Sequence, residues 1–155
     1  MSDQGNRTVA QVLGEITWLL TQSPTHKHLA LAELEWAVMP PLLLKQFHVF
    51  YQDGQPLAFA VWAYLSEDIE KALVEHVEAR QPARLDMKAW KSGDRLWLID
   101  LVCPAATPGN KLTERLVGEL TQNIFKGQRC RFVKRDEKTK VFEVGSFGSE
   151  ETANA

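Results

Sequence analysis

Cysteine is scarce in this chain. The two present, Cys103 and Cys130, form neither a CxxC pair nor a disulfide framework. A disulfide-stapled scaffold is thereby excluded, and stability falls to a hydrophobic core, which 155 residues suffice to build. Long apolar runs are absent too: none approaches the ~18 residues of a membrane span. The opening Met1 to Thr8 is polar and lacks the apolar segment of a secretory signal. These absences point to a cytoplasmic protein with reduced thiols. The usual metal and nucleotide motifs are also missing. There is no HExxH, no cysteine cluster, no Walker loop and no GxSxG elbow, and His26 and His28 at i, i+2 spacing make no metal site. With no repeat, linker or low-complexity stretch, residues 1–155 read as one domain with a core over about 9–148.

What is present is 45% hydrophobic and 25% charged, the make-up of an ordinary globular domain. Net charge is only −2, but its distribution is uneven. Between Lys126 and Lys140 lie seven basic residues against two acidic ones, on a chain that is otherwise acidic. That local excess suggests a docking face for a negative partner, with a solvated strand pair as the alternative. Nucleic acid is a poor fit, because Phe132 is the only aromatic in the stretch before Lys134 that could stack on a base.

Periodicity supplies the elements. Val12, Leu13, Ile16, Leu19 and Leu20 predict an amphipathic helix over Val9 to Thr21, stopped by Ser23-Pro24. A second helix is expected from Leu29 to Ala37, broken by Met39-Pro40-Pro41. Gln46 to Gln52 and Pro56 to Ala63 read as a hairpin about Asp53-Gly54. Ser66 caps a helix reaching about Glu78. Arg95 to Val102 is a strand, Lys111 to Phe125 a helix ended by Gly127, and Arg129 to Lys134 and Lys140 to Phe147 a strand pair. The mixture argues for α+β: a largely antiparallel or mixed central sheet flanked by helices, with a mixed α/β sheet as the alternative.

One residue in the strand Arg95 to Val102 is out of place. Asp100 lies in an apolar run, and a buried carboxylate costs several kcal/mol unless it is paired. A histidine is the partner that makes chemical sense: the carboxylate would orient the imidazole and raise its basicity. His48 and His76 sit in predicted regular elements, where packing explains them. His26 and His28 lie in the loop after the first helix, and His26 with Asp100 is the pair selected, although 74 residues separate them. Cys103, three residues after Asp100, is a candidate nucleophile or a packed strand-end residue.

The sequence resembles the toxin-activating lysine acyltransferases, which fatty-acylate internal lysines of RTX protoxins. Leu13-Gly14-Glu15-Ile16-Thr17-Trp18-Leu19 is similar to that family's opening motif, and Ser23-Pro24-Thr25-His26 to its Ser-Pro-x-His. Pro56 to Ala63 and Ser92-Gly93-Asp94-Arg95-Leu96-Trp97-Leu98-Ile99-Asp100 follow in the family's order. The resemblance implies a fold like the GNAT N-acyltransferases. It also implies an acyl chain donated by acyl carrier protein, with no other cofactor and no metal, and an RTX protoxin as the acceptor. His26 and Asp100 would be the catalytic pair, Ser23 a supporting residue, and a homodimer the assembly. Thr107-Pro108-Gly109-Asn110-Lys111 lacks the glycine-rich loop with which acetyl-CoA enzymes hold pyrophosphate, which fits a carrier-protein donor. The basic segment, with Lys126, Arg129, Arg131, Lys134 and Arg135, fits docking of an acidic carrier. A GNAT-like acetyltransferase acting on another amine and a catalytically silent binding module are the competing readings.

Overall fold

The central feature is a hairpin whose turn is dictated by two residues. Asp53 and Gly54 adopt φ of 53° and 78°, the left-handed pair that a two-residue hairpin turn of matching twist requires. They join β1 (Phe47–Gln52) to β2 (Gln55–Leu65). The computed structural model describes residues 7–79, 84–136 and 141–148. Three more strands extend the sheet: β3 (Arg95–Val102), β4 (Cys130–Asp136) and β5 (Val141–Phe147), in the order β1-β2-β3-β4-β5. Every pairing is antiparallel except β3 with β4, which is parallel. The expected mixed α+β sheet is therefore what forms. The turn expected over Arg135 to Thr139 falls largely on residues outside those described.

Helices cover both faces. On one face, α1 (Val9–Thr21) buries Val12, Ile16, Leu19 and Leu20 against Phe59, Val61, Trp97 and Val102. Its start is fixed reciprocally: the Thr8 hydroxyl accepts from Gln11 N–H at 3.1 Å, and the Gln11 side chain accepts from Thr8 N–H at 2.8 Å. The same face carries α4 (Glu67–Glu78), capped by Ser66. On the other face, α5 (Leu112–Glu119) and a π-helical turn (Leu120–Ile124) pack Leu112, Leu116 and Leu120 against Trp62, Leu96 and Leu98. No helix among the described residues is long and apolar enough to cross a membrane.

Two helices depart from the sequence reading. The expected Leu29 to Ala37 helix is shorter, a 3₁₀ turn (Leu31–Glu33) running into α2 (Leu34–Ala37). Pro40 and Pro41 do not merely end it. They open α3 (Met39–Leu43), because proline's fixed φ suits a first helical turn, where its missing N–H has no partner to lose. The Lys111 to Phe125 helix widens into the π turn, where Phe125 N–H donates to Leu120 C=O at 2.7 Å. That register places Phe125 edge-on to Trp62, with ring centroids 5.1 Å apart.

Ser92-Gly93 is structural. Ser92 Oγ accepts from Ser66 N–H at 2.9 Å and donates to Ala89 C=O at 2.9 Å, tying the start of α4 to the turn before β3. A Cβ on Gly93 would lie 2.5 Å from the Leu65 carbonyl oxygen, so only glycine fits there. Gly93→Ala is expected to lower stability by about 1–3 kcal/mol, the range for forced overpacking, as read from the urea midpoint at unchanged m.

Candidate active site

The site begins with the tetrapeptide that ends α1. Pro24 sets the backbone of a tight turn in which Ser23 C=O accepts from His26 N–H at 3.0 Å and Lys27 N–H at 2.9 Å. This turn folds the His26 ring back over its own start. Ser23 Oγ lies 2.6 Å from His26 Nδ1, and Thr25 Oγ1 lies 2.9 Å from the same atom. The opposite ring nitrogen, Nε2, is 2.8 Å from Asp100 Oδ2. The two residues 74 apart in sequence thus meet, and Ser23 joins them. Since the carboxylate only accepts, Nε2 carries the hydrogen that it receives, and Nδ1 is left as the acceptor facing the two hydroxyls. His28 is exposed on the same loop, but the chain of contacts runs through His26.

Asp100 reaches His26 through an irregularity in β3. Trp62 pairs with Leu98, and Val61 pairs with Asp100, so Ile99 is an extra residue in the ladder. Plain alternation would put Asp100 on the face of Leu96 and Leu98, toward α5. The bulge instead sets it opposite Val61, on the face that α1 covers. Beyond this point Leu101 returns to the α5 face and Val102 to the α1 face.

The expectation of a deeply buried carboxylate is corrected. The Asp100 side chain is 38% exposed. Among the described residues β3 and β4 pair only at Trp97 with Arg131 and Leu98 with Phe132. Past Leu98 the ladder ends, and the last half of β3 borders an open wedge. Asp100 sits at that wedge, so its charge remains partly solvated and costs less than a fully buried one.

The other candidates fall elsewhere. The Cys103 thiol is half-buried, and burial pushes its pKa up, which opposes a thiolate nucleophile. Cys130 is fully buried and is pushed up to about 12 by desolvation. His48 packs edge-on to Phe50 with centroids 4.7 Å apart, and burial lowers its pKa. His76 Nδ1 lies 2.7 Å from Ala72 C=O on α4.

The basic segment is divided. Lys126 and Arg129 are exposed before β4. Arg131 is committed inward: it pairs with Glu70 at 3.0 Å and lies 5.1 Å over the Trp97 ring. Lys134 and Arg135 lie on β4, in a stretch whose side chains fall outside those described. Arg129 precedes the partner of Trp97 by two residues and Asp100 follows Trp97 by three, so roughly 15 Å of strand separates their levels. Thr25, the bulge at Ile99 and the wedge were absent from the sequence reading. Only the hydroxyl beside the histidine gave a signal that could have drawn notice.

Known proteins resemble this chain along most of its length. A model of the RTX toxin acyltransferase family (HlyC) matches residues 5–146. The RTX-I toxin-activating lysine-acyltransferase ApxIC of Actinobacillus pleuropneumoniae is 31% identical over 137 residues, covering 88% of this chain and 73% of that protein. The leukotoxin-activating lysine-acyltransferase LktC serotype A11 of Mannheimia haemolytica is 34% identical over 99 residues, 64% of this chain and 56% of the relative. The protein-lysine palmitoyltransferase CyaC of Bordetella bronchiseptica is 32% identical over 107 residues, 69% of this chain and 55% of the relative. The chain thus spans between about half and three quarters of the lengths of these relatives. Among solved structures, the loading GNATL domain of CurA from Lyngbya majuscula superposes with a TM-score of 0.53 at 10% identity, covering 83% of this chain and 62% of that one. The fold is therefore GNAT-like.

Proposed function

We propose, from the premise that this chain belongs to the RTX toxin acyltransferase family, that it transfers a fatty acyl group from acyl carrier protein to lysine side chains of an RTX protoxin. The observation that carries this reading is the Ser23–His26–Asp100 contact chain set at the wedge between β3 and β4. A free lysine has pKa ~10.4 and is mostly protonated at neutral pH. It must lose a proton before it attacks a thioester. Imidazole is the side chain whose ordinary titration lies nearest neutrality. His26 takes the proton at Nδ1, and Asp100 stabilises the imidazolium through Nε2. The amine nitrogen bonds to the acyl carbon, the C–S bond breaks, the second nitrogen proton goes to the leaving thiolate, and His26 releases the first to solvent.

The donor follows from two features. Past Leu98 the β4-facing edge of β3 offers backbone groups beside Asp100, and an amide-bearing prosthetic arm can pair with such an edge as an added strand. The loop where a free coenzyme's pyrophosphate would need N–H donors is closed on itself. Asn110 Oδ1 accepts from Thr107 N–H at 3.1 Å and from Leu112 N–H at 3.0 Å. Exposed Lys126 and Arg129, with Lys134 and Arg135 along β4, would meet an acidic carrier. Arg131 leaves that set because Glu70 holds it. This reading places the protein in the cytoplasm, where carrier and protoxin are made, and takes it as a homodimer.

The test is intact mass spectrometry of an RTX protoxin fragment incubated with fatty-acyl carrier protein and this protein. The expected result is an added acyl mass with wild type, none with His26→Ala, and little when acyl-CoA replaces the carrier. No added mass with any acyl-carrier donor and protoxin fragment would remove the acyltransferase reading.

A further inference from the structure

Two hydroxyls converge on one ring nitrogen, and only one can use it. Ser23 Oγ and Thr25 Oγ1 stand 2.6 and 2.9 Å from His26 Nδ1 and 3.3 Å from each other. Nδ1 has a single in-plane lone pair, so it accepts one strong hydrogen bond at a time. With Asp100 on Nε2, this is the nitrogen left to act as base. A substrate amine arriving from solvent therefore meets hydroxyls before it meets the base.

The two hydroxyls are not equivalent. Ser23 is 7% exposed, held inside the turn that ends α1. Thr25 is exposed. We propose that Thr25 is the proton relay of the reaction, its hydroxyl accepting the proton of the attacking lysine amine while passing its own to His26 Nδ1, and that Ser23 positions the ring. This rests on the acyltransferase reading above. The balance is complete: the lysine ammonium loses one proton to Thr25 Oγ1 as the Thr25 proton moves to Nδ1, the neutral amine then bonds to the acyl carbon, the thioester C–S bond breaks, and the second nitrogen proton goes to the leaving sulfur. The imidazolium then releases its proton to solvent, and Thr25 ends as it began. Thr25 Oγ1 lies 2.9 Å from Nδ1, within hydrogen-bond reach, the geometry that proton transfer demands.

Thr25→Val removes the hydroxyl at nearly constant volume, and Thr25→Ser restores it. With full-length protein, acyl carrier donor and protoxin fragment, Thr25→Val is expected to lower kcat on the order of 10²-fold with KM for the protoxin unchanged. Thr25→Ser should stay within about threefold of wild type. Hydroxylamine, largely unprotonated at neutral pH, needs no base to become a nucleophile. Its acylation by Thr25→Val should match wild type, a readout that a merely structural role would not separate. Unchanged thermal unfolding of the valine variant checks the fold. Wild-type kcat in Thr25→Val, or equal impairment of the serine and valine variants, overturns the relay while leaving the acyltransferase standing. Failure of wild type to acylate any protoxin fragment removes both.

Discussion

Asp100→Asn is expected to lower kcat for protoxin acylation about 10³-fold while leaving the protein folded. The side chains have the same shape, so the bulge at Ile99 and the pairing with Val61 are undisturbed. What changes is the electrostatics at His26 Nε2. If the amide presents its oxygen, the tautomer survives, but the charge that would stabilise the imidazolium is gone. If it presents its NH₂, Nε2 must become the acceptor and Nδ1 takes the hydrogen. The ring would then offer a donor to Ser23 and Thr25, where the reaction needs a base. Either orientation raises the barrier. Stability should change little, because a carboxylate 38% exposed is neither fully desolvated nor the sole support of the loop. His26→Ala should cost at least as much, and the double variant no more than the worse single one, since the two side chains act as one unit. A kcat within tenfold of wild type for Asp100→Asn, at unchanged thermal midpoint, would mean that the carboxylate does not serve the base.

How much of this is legible in the sequence varies with the physics of each element. α1 is readable to the residue, because its apolar spacing and its proline stop agree. The β1–β2 hairpin was readable because Asp-Gly specifies its turn. His26 and Asp100 could be chosen as a pair on chemistry, but their meeting is a tertiary fact that spacing does not encode, and the resemblance to a family supplied it. The Ile99 bulge was invisible because period-two patterning assumes an unbroken ladder, and one extra residue reverses every later face. Asp100 lies shallower than its apolar run implies for a related reason: such a run signals burial only if the next strand stays alongside, and β4 does not. Arg131 shows the limit of counting charges. It sits in the most basic stretch of the chain, yet its guanidinium serves the interior.

That interior role leads to the largest expected loss of stability. Glu70 on α4 is 7% exposed and accepts from Trp97 Nε1–H at 2.7 Å, Arg95 Nη1 at 2.8 Å and Arg131 Nη1 at 3.0 Å. Trp97 and Arg131 are the register partners that close the β3–β4 wedge at its narrow end. Glu70 thus clasps both strands where they part company. Glu70→Ala leaves a fully buried indole N–H without its acceptor and two guanidiniums without their acid. Breaking a buried pair costs about 3–5 kcal/mol. Arg95 is 43% exposed and Arg131 35%, so solvent screens part of that and about 3 kcal/mol is expected. For a chain of this size that is a fall in Tm of roughly 6–12 °C. The pH dependence has a defined sign. Burial alone would raise the Glu70 carboxyl, but the Trp97 indole together with Arg95 and Arg131 outweighs it and holds the pKa below the ordinary value. Its contribution is therefore full above the unfolded carboxylate range, near pH 4.3, and is lost as pH falls through the lower folded value. Glu70→Gln should accordingly be less stable than wild type at pH 7, with the gap in urea-unfolding free energy narrowing below about pH 4. A gap that stays constant into acid would place the loss in packing rather than in the charge. Because the clasp lies at the closed end of the wedge and His26–Asp100 at the open end, kcat of the folded variant should stay within about threefold of wild type, separating stability from chemistry along a single strand.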